Sequence, residues 1–135
     1  MIYMLDTNIC IYIINKKPIS YIAKLESLEK IDSIVISAIV LAELQYGVSN
    51  SRFKEKNQIN VNSFVSKLDV IDFTEQCAFF YGEIRAYLKH KGIIIGSNDL
   101  LIASHAICEE ATLVTNDISE FDRIKGLKLV NWAKE

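Results

Sequence analysis

The sequence predicts an α/β protein: three layers, with a central parallel sheet of about five strands covered by helices on both faces. Two observations carry that expectation. Short apolar, β-branched runs alternate with longer helical patterns along the whole chain, and strands linked by right-handed helical crossovers pair in parallel and are buried on both sides. Only five Gly and one Pro occur in 135 residues, which excludes flexible linkers and low-complexity segments and favours long helices with short connections. Half of the residues are apolar and 24% are charged. That is globular composition, and this length buries a core without disulfide or metal staples, so residues 1–135 read as one domain.

Ile2-Tyr3-Met4-Leu5 reads as a buried strand, ended by the polar turn Asp6-Thr7-Asn8 and followed by a helix-compatible stretch to Asn15. Lys16-Lys17-Pro18 punctuates the chain before a second helix, Ser20 to Lys30, with apolar residues at Ile22, Leu25 and Leu28. Ile34-Val35-Ile36 forms a second strand, and Ser37 caps a third helix that runs to about Val48. The polar stretch from Ser49 to Asn62 has few apolar positions and reads as a solvated helix or the arm of a helical hairpin. Val70-Ile71 is a third strand. Thr74 then caps a helix patterned by Phe80, Ile84, Tyr87 and Leu88, which Gly92 ends. Ser97 caps a further helix from about Asn98 to Glu110, Thr112 to Thr115 is a fourth strand and Leu127 to Val130 a fifth.

Fifteen Lys and Arg against 17 Asp and Glu give a net charge of −2, so no global field attracts nucleic acid and any polyanion must be gripped locally. The three cysteines, Cys10, Cys77 and Cys108, show neither a CxxC pair nor zinc-ligand spacing. They read as small, apolar, reduced thiols of a cytoplasmic protein. The first residues do not make a signal peptide, and the apolar runs fall far short of a membrane span.

In an open parallel sheet the ligand crevice lies beyond the carboxyl ends of the strands. Asp6 follows the first strand, Asp117 follows the fourth, and Asp99 stands in the first turn of its helix. Glu43 lies less than two turns past Ser37, among Ile39, Val40, Tyr46 and Gly47, with no basic partner on its own helix. A lone carboxylate in that apolar setting is costly unless a cation is near. Taken singly, Asp6, Asp99 and Asp117 could merely favour helix N-termini. Capping does not require convergence, however, and four acids projected to one sheet edge make an oxygen-only site suited to Mg²⁺ or Mn²⁺. His90 and His105 form no HExxH motif and read as ordinary surface or packed histidines. A GxSxG elbow and a glycine-rich phosphate loop are both absent from the sequence.

With these residues in view, the sequence resembles the PIN-domain ribonucleases, and within them the VapC toxins of bacterial type II toxin–antitoxin pairs. The matching stretches are Met4-Leu5-Asp6-Thr7-Asn8, Ser37 through Glu43-Leu44 with Gly47, Ile95-Gly96-Ser97-Asn98-Asp99-Leu100-Leu101-Ile102-Ala103, and Leu113-Val114-Thr115-Asn116-Asp117. Phe121-Asp122-Arg123-Ile124, Gly126-Leu127 and Asn131-Trp132 extend the match over nearly the whole chain. Departures are small. Relatives often carry Pro between Gly92 and Gly96 and Ala at Ser104, and some carry Asn at the fourth acidic position, which makes Asp117 the least critical of the four.

The resemblance implies a metal-dependent endoribonuclease acting on structured RNA such as tRNA. Asp6, Asp99 and Asp117 would ligate Mg²⁺ or Mn²⁺, and Glu43 would orient the attacking water or a metal-ligating water. Thr7, Ser97, Asn98 and Asn116 match the polar residues around that quartet. The resemblance also implies a cognate VapB-like antitoxin and toxin homodimers within a larger assembly; operator-DNA binding, if any, would belong to the antitoxin, because nothing in the sequence resembles a DNA-reading motif. Arg52, Lys54 and Lys56, or Arg85, Lys89 and Lys91, could grip phosphates, and equally well read as solvated helix faces. Two readings compete with the nuclease: a catalytically silent PIN-like interaction module, and a Mg²⁺-binding receiver domain of signalling proteins. The receiver needs an acidic pair at the first strand and a Lys at the last, and neither is present.

Overall fold

In the computed structural model, which describes residues 1–134, the strands are β1 (Ile2–Leu5), β2 (Ser33–Ser37), β3 (Asp69–Ile71), β4 (Thr112–Val114) and β5 (Lys128–Val130). They form one five-stranded sheet in the order β3-β2-β1-β4-β5, every pair parallel. The helices are α1 (Thr7–Asn15), α2 (Ile19–Leu28), α3 (Ala38–Ser49), α4 (Lys54–Val65), α5 (Glu75–His90), α6 (Ser97–Cys108) and α7 (Ile118–Phe121), and a 3₁₀ turn spans Trp132–Lys134.

The strand order fixes the layers. From β1 to β3 the chain steps one way across the sheet, then leaps back over β2 and β1 to reach β4 and continues to β5. Right-handed crossovers therefore lay α1 to α4 on one face and α5 to α7 on the other. The reversal lies between β1 and β4, whose register pairs Tyr3 with Thr112 and Leu5 with Val114. Such a switch point opens a crevice at the carboxyl ends of the two strands. Because both faces are covered, Met4, Leu5, Val35, Ile36, Leu113 and Val114 are all buried in succession rather than alternately.

Most expected elements are present, with instructive departures. The second helix begins at Ile19 and ends at Leu28. The polar stretch is a true helix, α4, which buries Val61 and Phe64 and exchanges side-chain hydrogen bonds with α3 between Gln45 and Gln58. Ser97 does not cap α6. It is the first helical residue, and Gly96 holds the N-cap position without a side-chain bond. Thr74 stands at the N-cap of α5, but its hydroxyl contacts Cys77 Sγ at 3.3 Å and makes no capping bond. Gly92, at φ +70°, ends α5 in a Schellman turn: Ile93 N–H donates to Leu88 O at 2.9 Å and Gly92 N–H to Lys89 O at 3.0 Å. The fourth strand stops at Val114, the fifth starts at Lys128, and between them lies α7, a one-turn helix absent from the sequence expectation.

Candidate active site

The site is built where β1 and β4 end. The Asp6 N–H donates to Val114 O at 3.1 Å, which carries the sheet ladder one residue beyond β1. Asp6 Oδ1 then accepts from Ile9 N–H at 3.1 Å, so the same residue caps α1. This carboxylate is only 6% exposed. Burial raises its pKa above the ordinary 3.8, the charges of Asp117 and Glu43 add to the rise, and hydrogen bonds from Thr115 and Ile9 oppose it.

Thr115 is a residue the sequence did not single out. It is fully buried, and while its hydroxyl bonds Asp6, its Oγ1 accepts the Asp117 N–H at 3.0 Å. One side chain thus sets the spacing of two acids. Asp117 itself is exposed at the start of α7, and Ser119 Oγ donates to its Oδ1 at 3.4 Å.

Glu43 reaches the crevice from α3, whose first turn is fixed by Ile39 N–H donating to Ser37 Oγ at 3.0 Å. The expected lone carboxylate in an apolar setting is not what the fold makes. Glu43 is half-buried, with Thr7 Oγ1 donating to its Oε1 at 2.5 Å and Asn98 Nδ2 to its Oε2 at 3.4 Å. Its partners come from α1 and α6, elements distant in sequence, which no helical-neighbour pattern could supply.

Asp99 sits in the first turn of α6, half-buried. Its pKa is raised from 3.8 to about 6, first by burial and then by Glu120, Glu43, Asp6 and Asp117. All four expected acids therefore share one field. Glu120, from the unexpected α7, is a fifth member and the largest charge acting on Asp99; Arg123 Nη2 holds it at 2.8 Å. It lies three residues beyond Asp117, a spacing that would have pointed to it had a helix been expected there.

The remaining polar candidates divide. Thr7 and Asn98 hold Glu43. Asn116 donates to Tyr12 Oη at 3.1 Å, tying the end of β4 to α1. Ser97 is exposed at the first position of α6.

The acids approach without closing. Among the described residues, one trio brings potential metal-ligand atoms within 4.8 Å of one another, and it is Cys77, His105 and Glu109 rather than any three of these carboxylates. The acidic set still fits a hard divalent cation. Its donors are all oxygens, which suits Mg²⁺ or Mn²⁺ rather than zinc, and Glu120, Glu43, Asp6 and Asp117, whose charges add to the effect of burial in raising the Asp99 pKa, make a negative field that attracts such an ion.

A PIN-domain family model matches residues 3–127. The chain is 63% identical over 134 residues to a protein named ribonuclease VapC2 from Rickettsia felis, covering 99% of this chain and all of that one. It is 41% identical over 131 residues to a tRNA(fMet)-specific endonuclease VapC from Salmonella typhimurium, covering 97% and 98% of the two chains. A crystal structure of VapBC2 from Rickettsia felis, bound to a DNA fragment from their promoter, contains a chain that superposes with a TM-score of 0.94 at 62% identity, over 98% of this chain and 99% of that one. With that agreement in sequence, length and fold, the chain belongs to the PIN-domain family, in its VapC ribonuclease group.

Proposed function

We propose that this chain is a VapC-type endoribonuclease toxin that hydrolyses RNA phosphodiesters with Mg²⁺ or Mn²⁺ and is inhibited by a VapB-like antitoxin. The observation that carries this reading is the gathering of Asp6, Glu43, Asp99 and Asp117, from four separate segments, into one negative field at the switch point of the sheet. Neither of the competing readings accounts for it. A silent interaction module has no need of four mutually repelling carboxylates, and a receiver domain belongs to another family.

Asp6, Asp99 and Asp117 would hold the metal, with Glu120 adding to the field that retains it. A bound metal lowers the pKa of a water and offsets charge on the phosphate oxygens. Glu43, steadied by Thr7 and Asn98, keeps lone pairs free to accept a proton from the attacking water. Thr115 fixes Asp6 against Asp117. Such positioning matters because small misplacements cost large factors in rate.

The name of the Salmonella relative supports structured RNA, and tRNA in particular, as substrate. Arg85 and Lys89 line a surface hollow with Gly92, Ile93 and Ile94 that reaches Leu100 at the start of α6, a place from which cations could hold phosphates beside the acids. The VapBC complex supports an antitoxin partner. DNA is present in that complex, and we assign its contacts to the antitoxin, because no segment of this sequence resembles a DNA-reading motif. The chain acts as a single domain over residues 1–135, assembles as a homodimer and resides in the cytoplasm; among the described residues no helix is long and apolar enough to cross a membrane.

The test is incubation of antitoxin-free protein with a total tRNA pool in Mg²⁺ or Mn²⁺, in EDTA, and with Asp99→Asn. Metal-dependent cutting that leaves 5′-phosphate and 3′-hydroxyl ends, and is lost in both controls, is the expected result. A folded, metal-supplied protein that cuts nothing in the pool favours the silent module.

A further inference from the structure

Away from the acidic edge, α5 and α6 enclose a second set of donors. His105, Cys108 and Glu109 are spaced three and four residues apart on α6, one face of the helix, and Cys77 faces them from α5. One ligand atom each from Cys77, His105 and Glu109 lies within 4.8 Å of the others. The Cys77 and Cys108 thiols are in hydrogen-bond contact, and neither is in a disulfide.

His105 supplies an independent observation. The ring is fully buried, yet its Nε2 has no hydrogen-bond partner and lies 3.8 Å from Glu109 Oε1. The Asp72 backbone carbonyl also faces the imidazole without satisfying Nε2, and the Phe73 ring closes one side edge-on. An orphaned buried nitrogen is costly and calls for a reason. Ser37 can serve either tautomer of the ring. Its Oγ accepts from Ile39 N–H and lies 2.7 Å from His105 Nδ1. In the tautomer that a bound cation requires, Nδ1–H donates to Ser37 Oγ and the Nε2 lone pair is presented to Cys77 and Glu109. A hydrogen-bonded Nδ1 behind a free Nε2 is how metal-ligating histidines are held.

We propose that Cys77, His105 and Glu109, with Cys108 as fourth donor, form a binding site for a thiophilic divalent cation of the zinc class, separate from the carboxylate quartet. Sulfur, imidazole and carboxylate donors select such an ion over Mg²⁺. Bond lengths of about 2.0–2.3 Å put the edges of a tetrahedral zinc site at about 3.3–3.8 Å, so the trio has to contract by about 1 Å, which side-chain rotation provides. The cation braces the contact between α3 and α6. Its histidine is bonded to the residue that caps α3, the helix of Glu43, and it sits on α6, the helix of Asp99. The sequence hides this site because Cys77 precedes His105 by most of a helix and a loop, leaving no short ligand motif.

The test is Co²⁺ titration of the full chain, reduced and stripped with chelator, followed by Zn²⁺ displacement, with Cys77→Ser, Glu109→Gln and Asp99→Asn beside it. Expected is one equivalent of four-coordinate Co²⁺ with a thiolate charge-transfer band, displaced by one equivalent of Zn²⁺. Affinity should fall in Cys77→Ser and Glu109→Gln by more than the roughly 10- to 100-fold that loss of an outer hydrogen-bond partner costs, and Asp99→Asn should bind normally. Glu109 lies half-exposed at the end of α6, so its variant folds even if a Cys77 variant does not. Absence of the band in folded, reduced protein overturns the proposal. So does a band unchanged in Cys77→Ser and Glu109→Gln, or a Cys77–Cys108 disulfide in protein that takes up no metal once reduced.

Discussion

Asp99→Asn should make the metal-free protein more stable at neutral pH while it abolishes cleavage. The fold raises the Asp99 pKa from 3.8 to about 6, through burial and then through Glu120, Glu43, Asp6 and Asp117. At about 1.4 kcal/mol per decade this sets a ceiling of about 3 kcal/mol on the penalty for the ionised form. Asp99 is only half-buried, and solvent screening reduces the penalty to about 1.5 kcal/mol. For a chain of this size that corresponds to about 5 °C in Tm. A carboxyl whose pKa is raised by folding is penalised fully above the folded value, and the penalty disappears as pH falls toward the unfolded value. Asn carries no such penalty, so its advantage should be full above about pH 6 and nearly gone at pH 4. Thermal unfolding of both proteins in EDTA at pH 7 and pH 4 measures this directly. A variant that melts at or below wild type at pH 7, or whose advantage is equal at both pH values, refutes the reasoning. Mg²⁺ at pH 7 should narrow the gap by stabilising wild type alone.

Glu120→Gln should let the Asp99 pKa fall back toward 3.8, because Glu120 is the largest charge acting on it; carboxyl-carbon NMR titration reads the shift, and an unmoved Asp99 rules Glu120 out of the shared field. Thr115→Val removes the donor to Asp6 and the acceptor for Asp117 N–H, and should lower stability by about 1–3 kcal/mol in a urea melt, with Thr115→Ser restoring most of it. Thr7→Val deletes the 2.5 Å bond to Glu43 and should slow tRNA cleavage about 10- to 100-fold. Its melting temperature should barely change, and a rate equal to wild type would show that Glu43 needs no such hold. Leu113→Ala, at a fully buried position on the strand beside β1, should cost about 2–5 kcal/mol by calorimetry.

What the chain determined on its own was local. Continuous apolar runs marked β1, β2 and β4 because a sheet covered on both faces buries successive residues rather than alternate ones, as at Met4-Leu5, Ile34 to Ser37 and Thr112 to Val114. Ser37 and Gly92 stood where a cap and a left-handed turn are required, and each takes that part in the structure. The acids at the strand ends were legible for the same reason: an acidic residue directly after a buried strand falls at the crevice wherever the strand itself comes to lie.

Where a property depended on two distant segments, the tertiary structure decided it. The polar α4 was ambiguous because only Val61 and Phe64 anchor it, too few to write a helical period. The strand order that sets β4 beside β1 brings Thr115 to Asp6 and Glu120 to Asp99, and nothing within a few residues of either encodes that meeting. Glu43 looked unpartnered on its own helix, while Thr7 and Asn98 waited on two others. Cys77 and His105 likewise meet only through the packing of α5 on α6. Periodicity and capping record how each stretch meets solvent and its own backbone. The pairing of polar side chains across the sheet edge is set by crossover handedness and strand order, and those take effect only when the whole chain folds.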